Sequence, residues 1–430
     1  MDENVGGWQQ SDNGFDGWQR KTALFLSSQG LSLFGSMLVQ YAIIWYVTLT
    51  TESGVMLTIS TLVGFLPQIV ISLFAGVWAD RYHRKFLIIG ADLLTAVSTL
   101  ILAVVFLFGY RELWLIFLVS AIRSVGAGIQ APAVNALLPQ IVPTERLIKV
   151  NSINSTLQPF IMIAAPIVSG TLLSVSRLEY IFFIDVVTAV LAVGLLLVLK
   201  APPLARAATE PRQGYLDDLA AGLAYVRQTR PIKTLFVFFA FVFFLVTPVA
   251  FLSPLLVARS FGGEVWRLTA NEITFFGGSI LGGIIMTAWG GFENRFRTIG
   301  LACVVWAFLF AALGLAQNFV FYLGVMILAG IPMPFWSASA TTLLQELTEP
   351  NMQGRVFGVQ QLIMHSVMPV GMLVFGPISD AITIEVLLVV TGALMAIPGV
   401  WLYFNGQPKV AHDVLSSPDH EMQLSDCVDC

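Results

Sequence analysis

"GVWADRYHRK", residues Gly76 to Lys85, decides how the rest of the chain is read. Five of its ten side chains can carry charge: Asp80, Arg81, His83, Arg84 and Lys85. The whole chain is only 11% charged. An apolar run from Val55 to Val77 leads into the decapeptide, and a second run starts at Phe86. Dense charge in so short a gap is the pattern of a tight polar turn between two helices that each cross a bilayer.

Composition agrees. Soluble domains are nearer half apolar and about a quarter charged, whereas these 430 residues are 57% hydrophobic with a mean hydropathy of +0.81. Lipid suits such a chain, because spanning helices bond their own backbone and leave apolar side chains facing hydrocarbon. The net charge of −4 matters less than where the charges lie. Three cysteines are too few for a disulfide framework. The pair Cys427 and Cys430 in the acidic tail reads as incidental rather than as a metal or redox site, and no metal or cofactor is expected. The first twenty residues are polar, rich in Asp, Gly, Gln and Trp, and lack the apolar core of a cleaved signal. The first apolar segment is therefore expected to stay as a spanning helix.

About 20 apolar residues cross a bilayer. On that ruler twelve spans are predicted, at 22–49, 55–78, 86–109, 113–138, 151–173, 179–199, 234–257, 268–289, 298–315, 319–342, 356–379 and 384–404. The expected fold is an all-α membrane protein whose twelve transmembrane helices form two pseudo-symmetric six-helix bundles. The expected parts are a tail at 1–21, a bundle at 22–199, a linker at 200–233, a second bundle at 234–404 and a tail at 405–430. Within the linker, "YLDDLAAGLAYVRQTR" (Tyr215 to Arg230) reads as a short amphipathic helix on the membrane surface.

Twelve spans put both termini on one side. Of the 22 lysines and arginines, Arg111, Arg177, Arg259 and Arg267 fall in odd-numbered connections and Arg123 falls inside a span. The other seventeen lie in the tails and even-numbered connections. The positive-inside rule then predicts a cell-membrane protein with both termini in the cytoplasm. The two halves also echo each other. "LLPQIV" (Leu137 to Val142) corresponds to "LLQELT" (Leu343 to Thr348), "WADRYHRK" to "WGGFENRFR" (Trp289 to Arg297), and "APIVSG" (Ala165 to Gly170) to "GPISD" (Gly376 to Asp380). Paired halves of six spans joined by a basic loop are a transporter layout.

With these residues in view, the decapeptide resembles the signature of the major facilitator superfamily between its second and third helices. That signature is Gly, three residues, Asp-Arg, two residues, Arg and a base, here Gly76, Asp80, Arg81, Arg84 and Lys85. "RSVGAGIQAP", with Arg123, Gly126, Gly128 and Pro132, resembles the family's second signature. "ADLLTA" (Ala91 to Ala96) and "YIFFIDVVTAV" (Tyr180 to Val190) are similar to the bacterial branch that includes macrolide-efflux proteins and siderophore exporters. Pro166 and Gly170 fit the antiporter signature of span five, while Ala165 stands where many exporters carry glycine. The resemblance implies that Asp80 pairs with Arg84 and faces the cytoplasmic start of span eleven, near Arg355 and Val356, as a conformational latch. The alternative is that the charges only fix topology, for which bases suffice without Asp80 at this spacing.

Ionisable groups inside hydrocarbon are costly and commonly functional. Four stand out: Asp92, Arg123, Asp185 and Glu272. Arg123 needs an acid or carbonyl partner, and its matching arginine in the family is linked to proton movement; a structural ion pair is the competing reading. Asp92, within the first two turns of span three, can complete a network with Arg84 or Lys85. Asp185 and Glu272, near the outer ends of their spans, are the candidates for binding and exchanging protons; Glu272 in a first helical turn also suits the helix dipole.

Polar stripes mark the expected substrate cavity. Span one offers Gln29, Ser32, Ser36 and Gln40, and span five offers Asn151, Asn154, Gln158 and Met162. Span eleven offers Gln361, His365, Met368 and Met372. Phe239, Phe243 and Phe244 in span seven and Trp336 in span ten, after Pro332 and Pro334, add aromatic bulk. Weak hydrogen bonders mixed with Met and aromatic groups suit a bulky amphipathic ligand, whereas helix packing would collect small polar residues as well.

The expected activity is secondary active export of amphipathic small molecules, macrolide-like drugs first, in exchange for protons. Siderophore or metabolite export, or uptake of a nutrient, remain the alternatives. The expected partners are the small substrate, protons and membrane lipid, with no nucleic acid, on a monomer. Nothing resembles a nucleotide-binding loop. A membrane enzyme would call for a nucleophile with its base, or clustered metal ligands, and His83, His365, His412 and His420 are far apart in sequence.

Overall fold

Each apolar run folds as a helix because a chain in hydrocarbon must bond its own N–H and C=O groups. A computed structural model describes residues 17–199 and 215–405, except for the side chains of Asp80, Ile148, Ser155 and residues 215–218. The helices are α1 (Trp18–Thr51), α2 (Gly54–Arg81), α3 (Arg84–Leu107), α4 (Leu113–Ile141), α5 (Leu147–Val175), α6 (Leu178–Val198), α7 (Tyr215–Gln228), α8 (Arg230–Phe261), α9 (Val265–Trp289), α10 (Arg295–Gly314), α11 (Phe319–Gly330), α12 (Pro332–Leu347), α13 (Gln353–Ala381) and α14 (Ile384–Asn405). No strand occurs among the described residues.

Twelve stretches are long and apolar enough to span a membrane, and they follow the predicted twelve in order. The ends differ by a turn or so. The first starts at Trp18 and the seventh runs Arg230–Phe261, because polar residues at a helix end stay helical beyond the apolar stretch that composition detects. The tenth span, Phe319–Leu347, is broken where Pro332 lacks an N–H to continue the ladder, giving α11 and α12. The predicted linker helix is α7. Its Gly222 lies against the Arg355 carbonyl and Val359 of α13, so this helix has a packed face. Residues 200–214 and the two tails, with Cys427, Cys430, His412 and His420, lie outside the described residues.

Packing divides the described residues into two units. One draws on residues within 1–40, 67–165 and 177–212, the other on 41–66, 166–176 and 213–405. Helices α1, α2 and α5 supply residues to both. The first unit has an aliphatic core around Ile88, Leu137, Ile141, Val142 and Leu196, with Phe25. The second has an aromatic one. Trp336 lies 4.9 Å from Phe239 and 5.8 Å from both Phe238 and Phe243, and Trp306 stacks on Phe310 at 6.2 Å. Ring pairs at these separations add roughly 0.5–1.5 kcal/mol each beyond the area they bury.

Candidate functional site

The turn that opened the sequence reading is pinned by its bases. Arg84 Nε donates to the Ala79 carbonyl at 3.0 Å and its Nη1 to the Ala136 carbonyl at 2.8 Å, tying the end of α2 to α4. Lys85 Nζ donates to the carbonyls of Leu197 and Leu199, at 3.1 and 2.8 Å, and so caps the end of α6. Last-turn carbonyls have no helical partner, and a cation there also meets the negative pole of the helix. Arg81 is exposed, and a side chain at Gly76 would enter open space. The Asp80 side chain lies outside the described residues.

Above this turn the first unit holds a buried ionic network. Arg123, 8% exposed, donates to the carboxylate of Asp185, 3% exposed. The same guanidinium reaches Thr99 Oγ1 at 2.5 Å and the Ser36 carbonyl at 3.3 Å. α1 and α6 come this close because position 35 is glycine: a Cβ there would run into Thr188 and the Asp185 carboxylate. A buried pair of this kind is held by geometry and accessory hydrogen bonds, since desolvation offsets much of the Coulomb gain. Arg123 thus has the partner that one sequence could not place, and Asp185 is committed to it.

Asp92 makes other contacts than those expected. It does not join Arg84 or Lys85 in the turn below. Its Oδ1 accepts from Ser32 Oγ at 2.7 Å and from Gln130 Nε2 at 2.9 Å, while Gln130 also donates to Ser32 at 3.2 Å. The reason is reach. The bases are drawn to the α2, α4 and α6 carbonyls, whereas Asp92 faces α1 and α4. Its Oδ2 is buried without a hydrogen-bond partner among the described residues. Gln29 Nε2, one turn below Ser32 on α1, is likewise buried and unpartnered.

In the second unit Asn271 forms a small polar cluster. It accepts from Tyr322 Oη at 2.8 Å and donates to Ser253 Oγ at 3.3 Å and Glu272 Oε1 at 3.4 Å. α9 starts at Val265 rather than 268, so Glu272 sits in its second turn. The first-turn dipole reading fails there, and Glu264 holds the N-cap position. Glu264 pairs with Arg267 at 3.1 Å.

The predicted cavity residues divide. Gln29 and Ser32 are buried, and Ser36 and Gln40 are half-buried. Met162, Phe243 and Met368 are half-buried, while Gln158, Gln361 and His365 are exposed, with His365 Nδ1 2.8 Å from the Gln361 carbonyl. Phe239 (1% exposed) and Trp336 (3%) are packed inside the ring cluster, so here they serve the core rather than a cavity wall. Periodicity cannot separate these roles, because a buried face and a cavity face repeat with the same spacing. Among the described residues no three His, Cys, Asp or Glu side chains gather as a metal site would need.

One cluster escaped the sequence reading. Asp380, in the last turn of α13, accepts from three donors at the start of α2: Gly54 N–H at 2.7 Å, Val55 N–H at 3.0 Å and Ser53 Oγ at 2.9 Å. Arg259, near the end of α8, donates to Asp380 at 2.7 Å, to the Ser379 carbonyl at 2.6 Å and through two nitrogens to the Glu52 carbonyl. The available signal was an acid and a base at the ends of spans eleven and seven, on the side of the odd-numbered connections.

Three comparisons bear on this arrangement. The sequence profile described as Major Facilitator Superfamily matches residues 23–372. Macrolide efflux protein A of Streptococcus pyogenes is 30% identical over 383 residues, covering 89% of this chain and 95% of that protein. The protein of the same name from Enterococcus faecalis is 32% identical over 322 residues, covering 74% and 99%. Among solved structures, a POT family transporter in complex with 5-aminolevulinic acid superposes with a TM-score of 0.71 at 12% identity, over 91% of this chain and 96% of that one. That last likeness concerns the fold alone.

Proposed function

The chain belongs to the Major Facilitator Superfamily, a family of multi-pass membrane transporters, and from that premise we propose that it exports amphipathic, macrolide-like small molecules in exchange for protons. Similarity to two macrolide efflux proteins along most of the chain supports the direction and the cargo class. The proposal takes both termini as cytoplasmic, the two six-span halves as the moving parts and the monomer as the working unit. In it the Gly76–Lys85 hairpin is the inner latch, with Asp80 closing the cytoplasmic face against the start of α13 near Arg355 and Val356.

The observation that carries the proton half of the proposal is the unpartnered Oδ2 of Asp92. A buried charged oxygen without a donor is costly, and a bound proton removes that cost. Asp185 is less suited, because the Arg123 guanidinium already neutralises it. Among the described residues Glu272 takes one long hydrogen bond, from Asn271 at 3.4 Å, and stands second. Ser32 and Gln130, which hold Asp92, are polar residues of α1 and α4. A proton on Oδ2 leaves Oδ1 an uncharged, weaker acceptor, which loosens the Ser32 and Gln130 donors toward cargo or water and so couples the two events.

The test is the purified protein in liposomes with an imposed pH gradient and a labelled macrolide. Wild type accumulates the drug when the gradient is present. Asp92→Asn loses gradient-driven accumulation by at least tenfold and retains drug-for-drug exchange, which moves no net proton. Full gradient-driven accumulation by Asp92→Asn together with its loss in Glu272→Gln would transfer the role to Glu272. No response of wild type to the gradient would end the antiport reading. A siderophore as alternative cargo in the same assay separates the second export reading.

A further inference from the structure

From the Asp380 cluster we infer that Asp380 and Arg259 form a second clasp, which holds shut the membrane face opposite the Gly76–Lys85 hairpin and must open for cargo to leave. The inference rests on the reading that α2 and α13 move against each other during transport. Its observations are separate from those behind the proton proposal.

The chemistry is that of a free helix start. The first N–H groups of any helix lack intrahelical acceptors and sit at its positive pole. For α2 those groups belong to Gly54 and Val55, and their acceptor is a carboxylate from another helix, 325 or more residues away in sequence. The contact pattern runs antiparallel. Gly54 meets Asp380, and one turn further Thr58 Oγ1 donates to the Met372 carbonyl at 3.0 Å. The approach is close enough that a Cβ on Gly376 would collide with Thr58 and one on Gly54 with Ser379. α2 carries Asp80 in its own last turn, at its far end.

Two further features mark the cluster as a device that opens rather than as a fixed cap. The Arg259 and Asp380 side chains remain 29% and 28% exposed, and they border a cavity of about 430 Å³ that Ser260 and Glu385 also line, so water and ions reach the pair. Glu52, whose carbonyl takes two of the Arg259 donors, has φ +45°, the one non-glycine residue with positive φ among those described. A left-handed conformation at glutamate is strained and is retained only while its surroundings hold it. Once Arg259 lets go, the α1–α2 turn is free to relax.

The experiment reads opening directly, by pulsed electron–electron resonance between spin labels in lipid nanodiscs. The background carries Cys303→Ala, Cys427→Ser and Cys430→Ser. One label pair, Tyr110→Cys with Val320→Cys, reports the Asp380 face; the other, Tyr82→Cys with Glu349→Cys, reports the hairpin face. All four sites are exposed. Asp380→Ala should lengthen the first distance, shorten the second and raise the outward-open population about fivefold, the factor that loss of roughly 1 kcal/mol gives. Arg259→Lys keeps the charge but loses the fork that reaches three acceptors. It should shift both distances the same way by less, and it decides the matter if Asp380→Ala does not fold. Unchanged distributions overturn the inference. Lengthening on both faces overturns it too, since that is loosening rather than a switch. Neither distance measurement depends on export, so a failed clasp leaves the exporter proposal standing and the reverse holds as well.

Discussion

Arg123 and Asp185 show how much one side chain can govern in a dry interior. Removing one member of a buried pair leaves an uncompensated charge, which costs about 3–5 kcal/mol, whereas exchanging both for apolar groups of similar size costs far less. Arg123→Met is therefore expected to lower thermal stability sharply in detergent, and Arg123→Met with Asp185→Leu to recover most of the loss, both measured by melting. If the double variant melts no higher than the single, the pair is not what Asp185 is there for. At Glu52 the strain argument gives a prediction of opposite sign. Glu52→Gly removes the left-handed penalty of about 1 kcal/mol or more, and Arg259 bonds only the backbone carbonyl there, so melting should not fall and should rise by a degree or more. The residue scale was the least legible in the sequence. Asp92, Arg123 and Asp185 were found because charge inside an apolar run is conspicuous, but their partners depend on which faces meet. Arg259 and Asp380 were read only as a topology charge and as part of an internal echo, and their pairing passed unnoticed because charge at a span end is ordinary.

Among the helices, the sequence was most informative where the physics is one-dimensional. Span number, order and approximate ends follow from hydrophobic length alone, and α7 was visible as an amphipathic interruption. Helix-to-helix fit was not visible in that way. α9 carries "GGSILGG" (Gly277 to Gly283), in which Gly278 and Gly282 lie against the Ile327 and Ile331 backbones of the tenth span. Small residues four apart let membrane helices approach at backbone distance. The pattern is plain in the sequence once its partner is known, and without a partner it is merely a glycine-rich stretch. Gly278→Leu should force the helices apart at a cost of about 1–3 kcal/mol or more and reduce the yield of monodisperse protein on size-exclusion chromatography, while Gly277→Leu, whose side chain would enter open space, should not. Equal yields for the two would mean that this packing carries no weight.

For the whole molecule, Asp80→Asn is the variant that tests the hairpin as more than a topology signal. Protein should reach the membrane in normal amount, because the bases Arg81, Arg84 and Lys85, which suffice as a topology signal, are all kept. Export should nevertheless fall at least tenfold in a whole-cell drug-efflux assay, and undiminished export would reduce the motif to an anchor. The halves differ in what they keep inside, with an ionic network in the first unit and stacked rings in the second. Two ion pairs in the same chain also differ in how far solvent reaches them. The Debye length shrinks from about 30 Å at 0.01 M to about 3 Å at 1 M salt. Arg123–Asp185 is sealed from that change, while Arg259–Asp380, more than a quarter open, is not. A cell moving from fresh water to brine would thus leave the sealed pair of this protein untouched while slackening the open one.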